Sequence, residues 1–513
     1  MRGAWRPGVA ALLIGLSFLR NTWTSAASDA LSFDGDAALH VVLGQRMYEA
    51  GGLLATEPTT RWTVEGPFIA HEWLTELMFA GAWALWGPAG PVLWMAFVVA
   101  AVLAVLWAHV RVGASPWPAT LTTLGTLVVL QGHLHARPHV VTWLGVAALG
   151  LWIESARTTT GRRLWRGLVL SLLIVVWAQM HAGFLIVFPL LLAEVGGAVV
   201  RWVGRPEQPM AARVGAWCAA FVVALLASAL NPWGFALHEH FLRWMADPFL
   251  MRFTTEFNPP DVAGVAGKVF YAWCVFLALG AALRGRPHAP EDLLRVFGLG
   301  YLALSSARHG AVFALSTAPF VAACWTDALA VPRTGWWERL RRGVQASDRR
   351  LEVAEADAGV LRPVGGVVAV VVVAQSLWHW PQIAFDPRQQ PVEASAWIEA
   401  NPDATAGPMF NPFRWGAYLA LTLPDKPLYV NSWHDYLGPE RIRRYRMVED
   451  GAPDWERVLA EDGVTWVVHE KRSTLSARLR RHADWQEVHR DVAASVFVRR
   501  GVVPQSPQTP SNP

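Results

Sequence analysis

The sequence predicts an α-helical membrane protein with many spans, followed by a small C-terminal α/β domain. Three observations predict this fold class. Of 513 residues, 53% are hydrophobic and only 16% are charged, which is too apolar for a soluble protein of this length. Apolar runs of helical length recur throughout residues 1–385, and the composition becomes polar from residue 386. A lipid bilayer is therefore an expected partner of this chain.

The charged residues and cysteines exclude several other classes of protein. The formal net charge is +4, and the basic residues are scattered through short loops, so the chain has no face that suits nucleic acid. Cys218, Cys274 and Cys324 all lie in apolar segments, where we expect them to pack in the core and form neither a disulfide framework nor a zinc ribbon. Arginine far outnumbers lysine, which indicates a GC-rich bacterial source.

About eleven segments are predicted to span the bilayer. A spanning helix needs about 20 apolar residues, and about 17 suffice in a thin or tilted arrangement. The segments are 8–23, 91–110, 118–131, 139–155, 167–180, 183–200, 214–230, 269–283, 293–306, 311–329 and 364–380. Residues 73–86 form a shorter apolar run that includes Glu76, and we expect an amphipathic helix there, lying in the membrane interface.

The arginines orient these segments, because cytoplasmic loops carry the excess of basic residues. One orientation places nearly all basic loops inside: Arg157, Arg162, Arg163, Arg166, Arg201, Arg205, Arg213, Arg284, Arg286, Arg295 and residues 336–362. The N-terminus is then cytoplasmic and, after an odd number of spans, the C-terminal segment is extracytoplasmic. We expect this topology in a bacterial inner membrane.

The first apolar segment has two interpretations. Arg2 and Arg6, the run 8–19 and the small residues 25–27 also describe a cleavable signal peptide. We favour a retained helix, because signal peptides usually precede soluble domains and further spans follow here. Both interpretations place the next loop outside.

The long first outer loop, residues 24–90, holds the densest group of polar side chains. Asp34 and Asp36 flank a glycine, with His40 one helical turn after Asp36, and further along come His71, Glu72 and Glu76. Carboxylates so close together can hold a divalent cation, and a single one can act as a general base toward a hydroxyl group. A turn at Asp-Gly with a helix cap at Asp36 is the structural alternative.

Two arginines stand at the outer ends of spans, against the cytoplasmic bias of basic residues. Arg137 and Arg308 suit an anionic ligand such as a phosphate, because a guanidinium group binds phosphate oxygens through paired hydrogen bonds. The structural alternative is an arginine that snorkels to lipid headgroups. His181 lies in a similar position, where two apolar segments meet the outer surface.

The order of these blocks resembles the GT-C superfamily of membrane glycosyltransferases, and most closely uncharacterised multispanning bacterial proteins allied to it. The blocks are Asp34-x-Asp36, His71-Glu72-Trp73-Leu74, Arg137-Pro138, His181-x-Gly183-Phe184, Asn231-Pro232-x-Gly234 and Arg308. The resemblance implies a polyprenyl-phosphate sugar donor and an extracytoplasmic acceptor. The Trp-Trp-Asp-Tyr-Gly block of oligosaccharyltransferases is matched only loosely, by residues 432–438, which argues against oligosaccharyl transfer to protein.

The same resemblance implies roles for individual residues. Asp34 or Asp36 would be the catalytic base, or a ligand of a divalent metal ion together with Glu72. Binding of the substrates would fall to six residues, with the two arginines on the lipid phosphate: His40, His71, Glu72, Arg137, His181 and Arg308. Two alternatives stay open, namely a transporter or flippase for an anionic lipid or solute, and a non-catalytic membrane scaffold. The absence of an internal repeat disfavours a transporter.

Residues 386–500 are predicted to form an extracytoplasmic α/β domain, and residues 501–513 a disordered tail. Strand-like runs at 407–410, 427–431, 464–469 and 495–498 alternate with helical stretches at 392–400, 415–421, 439–448, 455–461 and 475–482. Residues 431–438 would follow a strand at the usual ligand side of such a sheet. A turn-rich loop packed on the membrane part is the alternative there.

The topology can be tested with reporter fusions after Arg342 and Gly501. We expect the fusion after Arg342 to report a cytoplasmic position and the fusion after Gly501 an extracytoplasmic one, because only this orientation keeps the arginine-rich loops inside. Alkaline phosphatase and green fluorescent protein, which are active on opposite sides of the membrane, serve as paired reporters. The reverse pattern at either position would show that the topology is wrong.

Overall fold

The computed structural model describes residues 7–33, 36–64, 66–158, 161, 163–204, 208–332, 334–356, 361–378 and 382–501. The first part of the chain consists of helices joined by loops. Its helices are α1 (Val9–Thr22), α2 (Thr24–Ser32), α3 (Asp36–Ala50), α4 (Trp73–Trp86), α5 (Ala89–Gly113), α6 (Pro116–Leu130), α7 (His139–Thr158), α8 (Arg163–Met180), α9 (Val187–Gly204), α10 (Gln208–Ser228), α11 (Ala236–Ala246), α12 (Pro248–Phe253), α13 (Val265–Leu283), α14 (Pro290–Ser305), α15 (His309–Ala330), α16 (Trp336–Ala356) and α17 (Leu361–Trp378).

Each predicted span falls on one of these helices. Among the described residues, seven helices are long and apolar enough to cross a membrane: α5, α7, α8, α9 with the turn before it, α10, α13 and α15. The other four predicted spans lie on α1, α6, α14 and α17, which are shorter or carry charges near one end. A helical membrane protein is therefore confirmed, whereas the number of eleven spans stays a prediction.

The charged side chains at the membrane helices form two groups, one at each end. At one end, the buried Glu194 accepts hydrogen bonds from Arg157 at 2.6 and 2.8 Å and from Arg295 at 2.6 Å. Arg137 lies at the opposite end of α7, which has 20 residues and is thus about 30 Å long. This separation matches the hydrocarbon thickness of a bilayer, so both groups can lie near its surfaces.

Helices α3 and α4 of the first outer loop pack unusually close together. A Cβ atom on Gly44 would lie 2.0 Å from the backbone oxygen of Glu76, so only glycine permits this contact. Helix α4 has the predicted bounds, and its placement in the membrane interface stays a prediction. Glu76 is fully buried against α3, and Thr75 beside it is buried as well.

The C-terminal part contains the predicted small sheet with helices around it. Helices α18 (Val392–Ala400), α19 (Gly416–Thr422), α20 (His434–Glu449), α21 (Trp455–Glu461) and α22 (Thr474–Leu479) alternate with strands β1 (Met409–Phe410), β2 (Trp466–Glu470), β3 (Trp485–Arg490) and β4 (Ala494–Arg499). The strand order is β1-β2-β4-β3, in which β1 and β2 are parallel and the other pairs are antiparallel.

One predicted strand is wrong and one real strand was missed. Residues 427–431 do not join the sheet. Instead, Leu428 donates its N–H to the oxygen of Thr59 at 2.9 Å and accepts the N–H of Arg61 at 3.0 Å. The hydrogen bonds that a sheet neighbour would take are thus used by the first outer loop. Strand β3, which carries several charged side chains, takes the edge position instead.

The first outer loop and the C-terminal part share one hydrophobic core. Leu39 and Phe68 of the loop pack in the same buried cluster as Trp415 and Trp466. A buried carboxylate strengthens this junction. Glu57 accepts hydrogen bonds from Thr59, Thr60 and the side chain of Asn431, the last at 3.0 Å. Residue 386 therefore marks a change in composition, while the packing continues across it.

Gly44→Ala should destabilise the protein, because the new methyl group forces α3 away from α4. Overpacking of this kind typically costs about 1–3 kcal/mol. Gly81→Ala is the matched control, since its Cβ would meet only the hydroxyl of Tyr48 at an ordinary 3.7 Å. Thermal unfolding in detergent should show a lower midpoint for Gly44→Ala alone, and equal midpoints for both variants would contradict the close packing.

Candidate functional site

Arg137 joins two acidic side chains from distant parts of the chain. It lies in the loop between α6 and α7, and one of its terminal nitrogens is 2.5 Å from Oδ2 of Asp36, the first residue of α3. Its other terminal nitrogen donates to Oε1 of Glu256 at 3.1 Å. The side chain of Arg137 is 19% exposed. Arg137 is thus held by protein carboxylates, which disfavours the alternative that it snorkels to lipid headgroups.

Glu256 was not singled out from the sequence, yet it connects both outer arginines. It lies in the turn Thr255–Phe257, and its backbone oxygen accepts the N–H of Arg308 at 3.0 Å. Its carboxylate lies 3.8 Å from the Arg308 guanidinium. Burial opposes ionisation of Glu256, but Arg137 and Arg308 outweigh burial and lower its pKa to about 2. The same stretch between α10 and α13 also carries Glu239, Asp247 and Asp261, so the sequence did not distinguish Glu256 from its acidic neighbours.

His181 connects Arg308 to the acidic residues of α4. Its Nδ1 accepts the N–H of Gly183 at 2.9 Å and lies 2.7 Å from the hydroxyl of Thr142. The acceptor role of Nδ1 places the ring proton on Nε2. The Nε2–H group faces Oε1 of Glu72 at 3.4 Å, and the Arg308 guanidinium, which is also a donor, lies 3.3 Å from Nε2 without a hydrogen bond between them. A chain of polar groups therefore runs from Arg308 to Glu72.

His40, Glu72 and Glu76 form a buried group behind that chain. Nδ1 of His40 lies 3.6 Å from Glu72 and 3.5 Å from Glu76. Burial raises the pKa of Glu72 to about 8, although Arg308 and Arg137 oppose the shift, and burial also raises the pKa of Glu76 well above its ordinary value. Burial, with Arg137 nearby, lowers the pKa of His40 to about 3. At neutral pH this group is therefore largely uncharged.

The same three residues fit a divalent cation. One ligand atom of each lies within 4.8 Å of the others, and Oε2 of Glu76 is buried with no hydrogen-bond partner among the described residues. A cation would neutralise both carboxylates, as two protons otherwise do. This set differs from the predicted one of Asp34, Asp36 and Glu72, because Asp36 pairs with Arg137 and Asp34 lies outside the described residues.

Most of the predicted site residues come together. Six of them lie in one connected network of side chains: Asp36, His40, Glu72, Arg137, His181 and Arg308. His71 borders this network, 3.8 Å from Glu72, but its closest polar neighbours also include His240 and Asp435. Asp36 both begins α3 and pairs with Arg137. Its position at a helix start is therefore compatible with a place in the site.

Comparison with solved structures identifies the fold. An oligosaccharyltransferase from Archaeoglobus fulgidus, tethered to an acceptor peptide, aligns over 90% of this chain and 68% of its own with a TM-score of 0.57 and 12% identity. The same protein, AglB, in complex with an inhibitory peptide and a dolichol-phosphate gives 0.55, again at 12% identity, over 90% and 69%. Apo ArnT from Cupriavidus metallidurans gives 0.50 at 12% identity over 95% and 97%.

Both of these proteins are GT-C superfamily membrane glycosyltransferases, so the resemblance inferred from the sequence is confirmed at the level of the fold. At 12% identity the similarity extends to the fold alone. No protein-family model and no curated protein matches the sequence. The residues described above must therefore carry any statement about activity.

Glu256→Gln should lower the thermal unfolding midpoint at neutral pH, because Arg137 and Arg308 lose a charged partner. The pKa of Glu256 is depressed from 4.5 to about 2. The stability that its charge contributes is therefore present above about 4.5 and is lost as the pH falls toward about 2. The difference between wild type and variant should shrink over this window.

Glu239→Gln is the control for this experiment. Glu239 lies on α11 near the same end of the helices, pairs with Arg243 and is 60% exposed, so its removal should change the midpoint little at any pH. Unfolding would be followed by differential scanning fluorimetry in detergent. A pH-independent difference for Glu256→Gln would contradict the assigned ion pairs.

Proposed function

We propose that this protein is a GT-C-type glycosyltransferase, which moves a sugar from a polyprenyl-phosphate-linked donor to an extracytoplasmic acceptor. One observation carries the proposal. In a fold shared with membrane glycosyltransferases, the pairs Asp36 with Arg137 and Glu256 with Arg308 meet at the same end of the membrane helices. Charges of both signs beside hydrocarbon are costly, and such residues usually serve a ligand or a pathway.

Arg308 is the best candidate to bind the lipid phosphate. Its side chain is 35% exposed, more than that of Arg137, and its pairing with Glu256 is loose at 3.8 Å. A solved structure of AglB is in complex with a dolichol-phosphate, a lipid of the proposed class. An arginine at this position would stabilise the negative charge that develops on the phosphate when it leaves the sugar.

Among the residues that the structure describes, Asp36 is the best candidate for the general base. It would accept the proton of the acceptor hydroxyl while the acceptor oxygen bonds to the anomeric carbon and the bond from that carbon to the phosphate oxygen breaks. Arg137 would hold the carboxylate in place. Asp34 is the second candidate, two residues earlier. The pKa of Glu72, about 8, suits proton exchange near neutral pH, which supports a role for this residue beside the substrates.

His40, Glu72 and Glu76 would hold a divalent cation if the enzyme uses one. Such an ion would supply positive charge near the departing phosphate. The residues of the chain would still have to bind the donor, orient the acceptor and take up its proton. His181 would position Glu72 and Arg308 relative to each other, because it contacts both.

The proposal includes the location and the arrangement of the chain. The protein would lie in a bacterial inner membrane with residues 1–385 as the GT-C-like part and a cytoplasmic N-terminus. Residues 386–500 would form the extracytoplasmic domain, ahead of the tail 501–513. The shared core of the first outer loop and the C-terminal part supports their position on the same side of the membrane.

Asp36→Asn and Asp34→Asn test the catalytic role, because each removes a charge while keeping the shape of the side chain. At least one should reduce sugar transfer about a hundredfold or more, the usual loss when a general base is removed. Asp29→Asn, an exposed residue of the same loop, is the control and should stay active. Each variant would be expressed in a strain that lacks the native gene, and the lipid-linked sugars would be quantified by mass spectrometry.

The donor should accumulate in strains that carry the inactive variant. Membrane levels of each variant, measured by immunoblot, separate loss of activity from loss of protein. Full activity in both Asp34→Asn and Asp36→Asn would refute the catalytic role. A flippase would instead change the side of the membrane on which the donor is found, which protease- or lectin-protection assays of the lipid-linked sugar can detect.

A further inference from the structure

A second group of metal-binding side chains lies next to the proposed catalytic site. It consists of His71, just before α4, His240 on α11 and Asp435 at the start of α20. One ligand atom of each residue lies within 4.8 Å of the others. Nε2 of His240 is 2.8 Å from Oδ2 of Asp435. Three segments that are far apart in the chain therefore bring two imidazoles and one carboxylate to the same point.

This set of donors has the chemistry of a zinc site. Zinc binds imidazole nitrogens and carboxylate oxygens at about 2.0–2.2 Å, which places two ligand atoms of a tetrahedral site about 3.3–3.5 Å apart. The separations here, between 2.8 and 4.8 Å, bracket that value. Small side-chain rotations would therefore be enough to close the site around an ion.

A second observation points to a ligand at this position. Nδ1 of His71 is buried and has no hydrogen-bond partner among the described residues. A buried polar atom without a partner is destabilising, and a bound metal ion or its water would remove that cost. The side chains of His240 and Asp435 are 21% and 10% exposed, so solvent and ions can reach them.

Aromatic rings surround His71 and restrict its movement. The His71 ring packs against Trp433 with ring centroids 4.5 Å apart, and against Phe241 at 5.0 Å. Trp433 and Asp435 belong to the C-terminal part, whereas Phe241 and His240 lie on α11. The surroundings of the site are therefore built from the same segments as the ligands themselves, and the ligands are held in place before an ion arrives.

We propose that His71, His240 and Asp435 bind a zinc ion that fastens the C-terminal part to the outer ends of the membrane helices. The fourth position would be taken by water. This proposal does not depend on glycosyl transfer. It also changes the role of His71, which would hold the ion and not the substrate.

Metal content tests the proposal directly. Full-length protein, purified in detergent with its affinity tag removed, would be incubated with zinc sulfate, desalted and measured by inductively coupled plasma mass spectrometry. His240→Ala and Asp435→Asn should each retain one zinc per chain fewer than wild type. Size-exclusion profiles and circular dichroism confirm that the variants are folded, and Asp435→Asn keeps the shape of the native side chain.

Two controls make the result specific. His238→Gln changes another histidine of α11, which contacts Ser228 instead, and should keep the zinc. Glu76→Gln changes the other candidate cation site, so the zinc that His240→Ala removes should remain in this variant. In addition, a chelator should lower the unfolding temperature of wild type but not of His240→Ala. The proposal would be overturned if wild type binds no zinc. It would also be overturned if Glu76→Gln loses zinc while His240→Ala and Asp435→Asn both retain it.

Discussion

The ion pairs of Arg137 are the interaction on which the outer end of the protein depends. The guanidinium lies between Asp36 and Glu256, and the latter is 119 residues away in the chain. An unpaired carboxylate or guanidinium is unfavourable beside hydrocarbon, since a single charge at membrane depth costs several kcal/mol. Together they neutralise each other and fix the first outer loop to the loop before α13. The remaining polar groups of the site are arranged around this connection.

The close contact between α3 and α4 gives the site its buried side. Because Gly44 has no side chain, the two helices approach until His40 faces Glu72 and Glu76. The site thus has an inner group in which burial raises the pKa of both carboxyl groups, and an outer group of ion pairs. Such a contrast of environments within a few ångströms is how proteins give carboxyl groups different roles.

The C-terminal part completes the outer surface. It contributes Asn431 to the hydrogen bonds of Glu57 and shares a core with α3, so the first outer loop is ordered from two sides. Asp435 extends the same contact to His240. In this arrangement the C-terminal part packs against the loop that carries Asp36.

The sequence by itself determined the features that depend on short stretches of chain. Apolar runs of helical length predict membrane helices because each helix satisfies its own backbone hydrogen bonds. Charged residues are rare at the predicted outer ends of those runs. The few that occur there, namely Asp36, Glu72, Arg137 and Arg308, could therefore be singled out from the sequence. The α/β character of residues 386–500 followed from similar local patterns.

Only the tertiary structure decided which of these residues meet. Glu256 joins both arginines through contacts between distant segments, and nothing in its neighbourhood along the chain indicates this. Likewise, Leu428 pairs with the first outer loop and not with the sheet. Glu76 is buried against α3, although the sequence predicts that its helix lies in the membrane interface. Local propensity cannot specify such pairings, because they depend on which surfaces remain uncovered after the helices have packed.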